Sequence, residues 1–132
     1  MSQHAEGKFE VTSWDEEPYV EIDETRKLTR ATVSQTFSGD IEGEGSVQWL
    51  MCYRPDGTAD WVGMQRIVGR IGQRTGSFVV QNVGTFDGSK AAGDWSVVPG
   101  SGTEELEGLK GTGRMEAPFG SQATYALDYD LA

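Results

Sequence analysis

Two glycine-rich runs, GSGT at residues 100–103 and GTGR at 111–114, contain the residue types of loops that bind phosphate groups. Such a loop needs a preceding strand and a following helix whose first N–H groups meet the anion. The segment after the first run, GTEELEGL (102–109), is long enough for only one helical turn, and Glu104 and Glu105 would repel the anion. We therefore interpret these glycines as architectural, flanking a crossover that closes one end of the fold.

The side chains that usually carry catalysis are scarce. His4 is the only histidine and Cys52 the only cysteine, which excludes Ser-His-Asp and Cys-His catalysis, His-ligated zinc and an internal disulfide. The acidic run at 15–24, DEEPYVEIDE, lacks the spacing and central glycine of a calcium loop, so it is interpreted as solvated. The sequence thus predicts neither a metal site nor a cofactor.

Charge and length limit the partners of the chain. The 132 residues carry a net charge of -10, which disfavours nucleic acid and anionic membrane surfaces as partners. Residues 1–10 have no apolar run, and no 18-residue apolar segment follows, so we expect a cytoplasmic location.

The elements that would position a site are short strands. Eighteen glycines and segments that alternate between apolar and polar residues about every ten to twelve positions indicate an all-β chain. We expect a single domain over 1–132 that forms an eight-stranded, mostly antiparallel β-barrel with little helix. The expected strands are 6–13, 28–37, 45–53, 59–69, 77–86, 90–98, 111–117 and 123–131, with 14–27 as a loop or short edge strand.

Turn residues fix which side chains face inward. A Pro-Asp-Gly turn pairs Tyr53 with Ala59, and an Asp-Gly turn pairs Phe86 with Ser89. A four-residue loop at 72–75 would set Gln65 opposite Asn82 and Ile67 opposite Val80. The resulting interior mixes aromatic side chains with glycines, which would leave room for a ligand. The outer face would carry Cys52 and polar residues, among them Gln48, Arg66, Arg70, Asp94 and Asp128.

Isolated amides are the unusual feature of this predicted interior. Buried Gln35, Gln65 and Asn82 need partners, because an unpaired amide in the core is costly. One alternative is that they bond to each other or to water in a filled core, and the other is that they contact a ligand. On the second hypothesis the candidate ligand-binding residues are Gln35, Trp49, Trp61, Gln65, Phe78, Asn82, Trp95 and Tyr125.

Several motifs in combination resemble a known family. The runs GKFEVTSWDEEPY, FSGDIEGEGSV, ADWVGMQRIVGRIGQRTGSFVVQNVGTFD, WSVVPGSGTEELEGLKGTGRM and YALDYDL resemble the bacterial domain of unknown function 3224 over nearly the whole chain. The resemblance implies a barrel like that of allene oxide cyclase and dirigent proteins, whose members act on apolar, reactive molecules without a cofactor. It also implies a Glu at position 65 and a His at position 82, so two amides would replace an acid–base pair here.

Three functions remain open from the sequence. The lumen would bind a small apolar or aromatic molecule, or it would act as a cofactor-free isomerase or cyclase, or a packed barrel would serve as a protein-interaction module. We also expect a homo-oligomer that buries an apolar outer patch formed by Leu50, Val62, Met64, Val68, Val79 and Val83.

Overall fold

The computed structural model describes residues 3–118 and 122–131, and within them the chain forms a closed eight-stranded barrel. Every neighbouring pair of strands is antiparallel, in chain order, and β8 closes on β1. The strands are β1 (Gln3–Glu21), β2 (Lys27–Gly39), β3 (Ile41–Tyr53), β4 (Ala59–Ile71), β5 (Arg74–Phe86), β6 (Lys90–Val97), β7 (Lys110–Pro118) and β8 (Ala123–Asp130). The predicted fold class is confirmed.

Helix is limited to one short turn. A 3₁₀ segment at Glu104–Leu106 is the helical element of the described residues, and it is far too short to cross a bilayer.

The first strand is much longer than expected. Residues 14–21, predicted as a loop or short edge strand, continue β1, and Trp14 lies opposite Val33 on β2. Among residues 3–118 and 122–131, β1 pairs with β8 through Gln3–Phe9, and its second half pairs with β2 as a hairpin. We call residues 10–21 the β1 arm. The backbone ladder to β2 forms regardless of the acidic side chains, which face solvent on alternate positions.

The register of the central hairpins is partly as predicted. Tyr53 pairs with Ala59, as expected from the Pro-Asp-Gly turn. Between β4 and β5 the predicted register is wrong, because residues 72–73 form a two-residue turn instead of a four-residue loop. Gln65 therefore lies opposite Val80, and Ile67 opposite Phe78.

The predicted register of the Asp-Gly hairpin is also wrong, because its loop is two residues longer than expected. Phe86 pairs with Ala91 instead of Ser89, because the Asp87 side chain accepts the N–H groups of Ser89 and Lys90 and builds a four-residue loop. Both errors amount to two residues. Since side chains alternate with a period of two, the predicted inner and outer faces survive them.

The glycine-rich crossover closes one end of the barrel. It runs along β5, where the Thr103 N–H donates to the Ser77 carbonyl and the Val98 N–H to that of Val79. It buries Leu106 and Leu109, which are 0% and 1% exposed. This agrees with the architectural interpretation of the two glycine runs. The same segment half-covers Val79, which the sequence had placed on the exposed outer patch.

Candidate functional site

An apolar cavity of about 310 Å³ lies at the opposite end of the barrel, beneath the β1 arm. Its wall combines aromatic, aliphatic and small side chains from seven of the eight strands, all except β2. Val11 of the β1 arm lies at its rim and is 48% exposed. The lining residues are Phe9, Val11, Trp14, Trp49, Met51, Tyr53, Trp61, Phe86, Ala91, Met115, Ala117 and Ala123.

Two tryptophans form the floor of this cavity. Trp49 and Trp61 are buried, with ring centroids 5.8 Å apart. Each ring lies across a glycine on the next strand: Trp49 covers Gly63, and Trp61 covers Gly84. A Cβ at either glycine would overlap the ring. The glycines therefore do not leave free volume, as the sequence suggested, but accommodate the indoles.

The indole N–H groups do not face the cavity. Nε1 of Trp49 and Nε1 of Trp61 are inaccessible, and within the described part of the chain neither has a hydrogen-bond partner. A buried donor without an acceptor costs about 1–3 kcal/mol, so this packing is maintained against a polar penalty. The two rings contribute carbon alone to the cavity floor.

The three predicted amides form a network of their own in the core. Gln65 donates from Nε2 to Oε1 of Gln35, and its Oε1 accepts from Nδ2 of Asn82 at 3.3 Å. Asn82 Nδ2 also lies 3.4 Å from the Val80 carbonyl oxygen. Each amide is 1% exposed, and none lines the cavity. The sequence left two alternatives for these amides, mutual hydrogen bonding or contact with a ligand. The structure shows the first.

The other predicted site residues pack elsewhere in the core. Trp95 stacks on Tyr125, with centroids 5.9 Å apart and planes at 12°. The Tyr125 hydroxyl accepts the Ile41 N–H at 2.8 Å and lies 2.8 Å from the Ser38 carbonyl, and burial raises the pKa of Tyr125 to about 12. Phe78 is 2% exposed and does not reach the cavity. Trp49 and Trp61 are thus the predicted site residues that line it.

At the mouth of the cavity, three side chains donate hydrogen bonds to a single carboxylate, Glu16, and the sequence did not predict this cluster. Glu16 Oε2 accepts hydrogen bonds from the hydroxyls of Thr29 and Tyr53, both at 2.6 Å, and its Oε1 accepts the indole N–H of Trp14 at 3.1 Å. Trp14 in turn lies over Trp49, with ring centroids 5.5 Å apart. Glu16 thereby fixes two side chains, Trp14 and Tyr53, that complete the rim of the cavity.

The protonation of this cluster follows from its contacts. Burial raises the pKa of Glu16, but the hydrogen bonds from Thr29, Tyr53 and Trp14 outweigh it, and the net shift is downward. Burial and the bond to Glu16 both raise the pKa of Tyr53 well above its ordinary value. At neutral pH Glu16 is a carboxylate and Tyr53 a phenol, so neither exchanges a proton readily there.

The alternation W-D-E-E-P could have revealed the cluster. Trp14, Glu16 and Pro18 are spaced by two residues, as the inward side of a strand requires. The acidic composition of the run concealed that pattern. Among the described residues, no three His, Cys, Asp or Glu side chains come together as a metal site needs.

The described chain is a small, closed antiparallel barrel with an apolar cavity at one end. The wall of that cavity is mainly hydrocarbon surface. The sequence profile of the family "Protein of unknown function (DUF3224)" matches residues 5–129, and the chain belongs to this family. A solved structure of a DUF3224 protein of unknown function from Shewanella oneidensis MR-1 is similar, with a TM-score of 0.85 and 29% identity. That alignment covers 100% of this chain and 99% of the other. None of the curated proteins matches the chain.

Proposed function

We propose that the protein binds a small apolar or aromatic molecule in the cavity between the β1 arm and the Trp49–Trp61 floor. The observation that carries this proposal is the cavity itself: about 310 Å³, walled by apolar and aromatic side chains. Ligand sites begin near this size and are lined mainly by such side chains. Trp49 and Trp61 would form the floor, and Trp14 would cover the entrance.

The same cavity bears on the alternatives expected from the sequence. A cofactor-free isomerase or cyclase would need a group that moves a proton or a fixed dipole aimed at the substrate. Tyr53 is the titratable side chain of the wall, and its hydroxyl already donates a hydrogen bond to Glu16. Binding is therefore favoured over proton-transfer catalysis. We also propose a cytoplasmic location, as expected from the sequence. Cell fractionation tests this location.

A neutral fluorescent probe tests the proposal directly. N-phenyl-1-naphthylamine is expected to bind wild-type protein with an increase and blue shift of its emission. Filling the cavity with Ala91→Leu and Ala117→Leu, which are cross-strand neighbours, should weaken binding at least about tenfold. Ala126→Leu adds the same side chain outside the cavity and serves as the matched control. Equal binding by the filled variant, or none by the wild type, would refute the proposal.

A further inference from the structure

We propose that the protein is a homodimer whose interface is the outer apolar face of the barrel. We define this face by seven exposed side chains from the β1 arm and from strands β3 to β5. Their exposed fractions range from 42% for Val20 to 55% for Tyr19. The seven are Tyr19, Val20, Leu50, Val62, Met64, Val68 and Val83.

The face is continuous over β3, β4 and β5, and the β1 arm borders it across Leu28 of β2. Leu50, Val62 and Val83 are register partners on β3, β4 and β5, and Met64 follows Val62 on the same side of β4. Tyr19 of the β1 arm borders the same shallow groove as these three. The sequence-based patch lacked the arm, which was expected to be a loop. A continuous apolar surface of this kind in one small chain marks an interaction site.

Electrostatics favour a second copy as the occupant. The chain carries a net charge of -10, so two copies can approach closely only where acidic side chains are missing. The cross-strand row through Met64 meets this condition, because it is uncharged over five strands. That row is Thr32, Gln48, Met64, Gln81 and Ser96.

Three acidic side chains border the apolar face. Glu44 is the cross-strand neighbour of Val68. Asp94 is the cross-strand neighbour of Val83 and lies opposite Arg114 on β7. The third, Asp60, lies 3.0 Å from the guanidinium of Arg54 and accepts the Thr85 hydroxyl at 3.0 Å. A two-fold axis through this face would bring apolar and uncharged surface onto an identical surface. A basic partner would instead be drawn to the acidic remainder of the molecule.

The available area suits a dimer of moderate affinity. Seven large side chains, each about half exposed, offer roughly 600 Å² per copy, compared with ~800 Å² for a standard interface. This places the expected dimer at the lower end of the stable range, with a dissociation constant on the order of micromolar.

Pairing through the free edge of the β1 arm is a less suitable geometry. Within the part of the chain that the structure describes, the arm beyond Phe9 pairs with β2 and with no other strand. Pro18 cannot donate to a new ladder, and irregularities at Val11/Ser13 and Pro18/Val20 break the spacing of the backbone groups. The outer apolar face is therefore the surface that the dimer would use.

Sedimentation velocity at about 1 to 100 µM tests this proposal over the expected range of affinity. Wild-type protein should shift with concentration from 14.4 kDa toward twice that mass. Val62→Glu, at the centre of the face, should weaken association at least about tenfold, because two charges would be buried against each other. Thr124→Glu places the same charge on the exposed side of β8, four strands away, and should dimerise like wild type.

Circular dichroism checks that each variant folds, and Met64→Glu replaces Val62→Glu if the latter does not. A wild-type protein that stays at 14.4 kDa throughout would overturn the proposal. A dimer that persists unchanged in the folded Val62→Glu or Met64→Glu variant would overturn it as well. Neither outcome affects the cavity, so this test is independent of the proposed ligand binding.

Discussion

Replacing Glu16 by Gln should destabilise the protein by about 1–2 kcal/mol, and this follows from the contacts of the carboxylate. Its two oxygens accept three hydrogen bonds, from Thr29, Tyr53 and Trp14. The amide keeps one acceptor oxygen and replaces the other by a donor, so at least one of these bonds is lost together with the charge. A hydrogen bond to a charged group contributes about 1.5–3 kcal/mol, and partial exposure of Glu16 reduces that value through solvent screening.

Urea unfolding of Glu16→Gln and Glu17→Gln measures this effect against a matched control. Glu17 is the next residue of the arm, carries the same charge and is exposed. Its replacement should change stability by less than about 0.5 kcal/mol. Hydrogen exchange of the β1 arm should accelerate in Glu16→Gln alone, because Trp14 and Tyr53 lose their common acceptor.

The pH dependence gives a second, independent check on Glu16. Its pKa in the folded state is below the ordinary 4.5, so it stabilises the fold at pH values above 4.5. That contribution disappears as the pH falls through the folded-state pKa. The stability gap between wild type and Glu16→Gln should therefore be constant near neutral pH and close in acid. A gap equal to that of Glu17→Gln, or one that persists unchanged in acid, would show that the reasoning is wrong.

Three further predictions concern other parts of the barrel. His4 hydrogen-bonds two carboxylates and its pKa is raised above 6.5, so the stability gap between wild type and His4→Gln should be present below pH 6.5 and close as the pH rises through the raised pKa; the single imidazole can be titrated by NMR. Gly84→Ala should cost about 1–3 kcal/mol, because the new Cβ would overlap the Trp61 ring and lie 2.7 Å from the Ala92 carbonyl oxygen; a Trp61→Leu background should remove the part of the cost caused by the ring and leave the part caused by the backbone. Gln65→Leu, which leaves two buried amides short of a partner, should cost about 2–4 kcal/mol, against about 1 kcal/mol for Asn82→Leu. Neither amide variant should change probe binding; weaker binding by Asn82→Leu would show that the amides belong to the site.

The sequence predicted the barrel well because side-chain alternation is a robust signal. Inner and outer positions repeat every two residues, so turn errors of two residues at 72–73 and 87–90 left the faces unchanged. The buried amides and the exposed outer valines were therefore assigned to the correct sides. An error of a single residue would have inverted the whole list.

The cavity could not be located by the same reasoning. Alternation places Trp49 and Trp95 on one face but says nothing about height along the barrel or about which ring covers which glycine. The position of the cavity depends on the β1 arm, and the arm looked like a solvated loop because of its acidic composition. Glu16 was concealed for this reason: two of its three donors, Thr29 and Tyr53, lie 13 and 37 residues away in sequence.

The division of the interior into two parts determines what kind of selectivity the protein can have. Polar groups of the core bond to one another below the cavity, and the floor formed by Trp49 and Trp61 exposes carbon alone. An occupant would be recognised by its size and hydrophobic surface, where one methylene changes the free energy of binding by about 1–3 kcal/mol. Strong discrimination between polar isosteres requires buried hydrogen-bonding groups that the wrong ligand leaves unpaired, and the floor offers none that a ligand can reach. We therefore expect graded binding across a series of apolar molecules, limited at the upper end by the 310 Å³ of the cavity and by how tightly Glu16 holds Trp14 over its entrance.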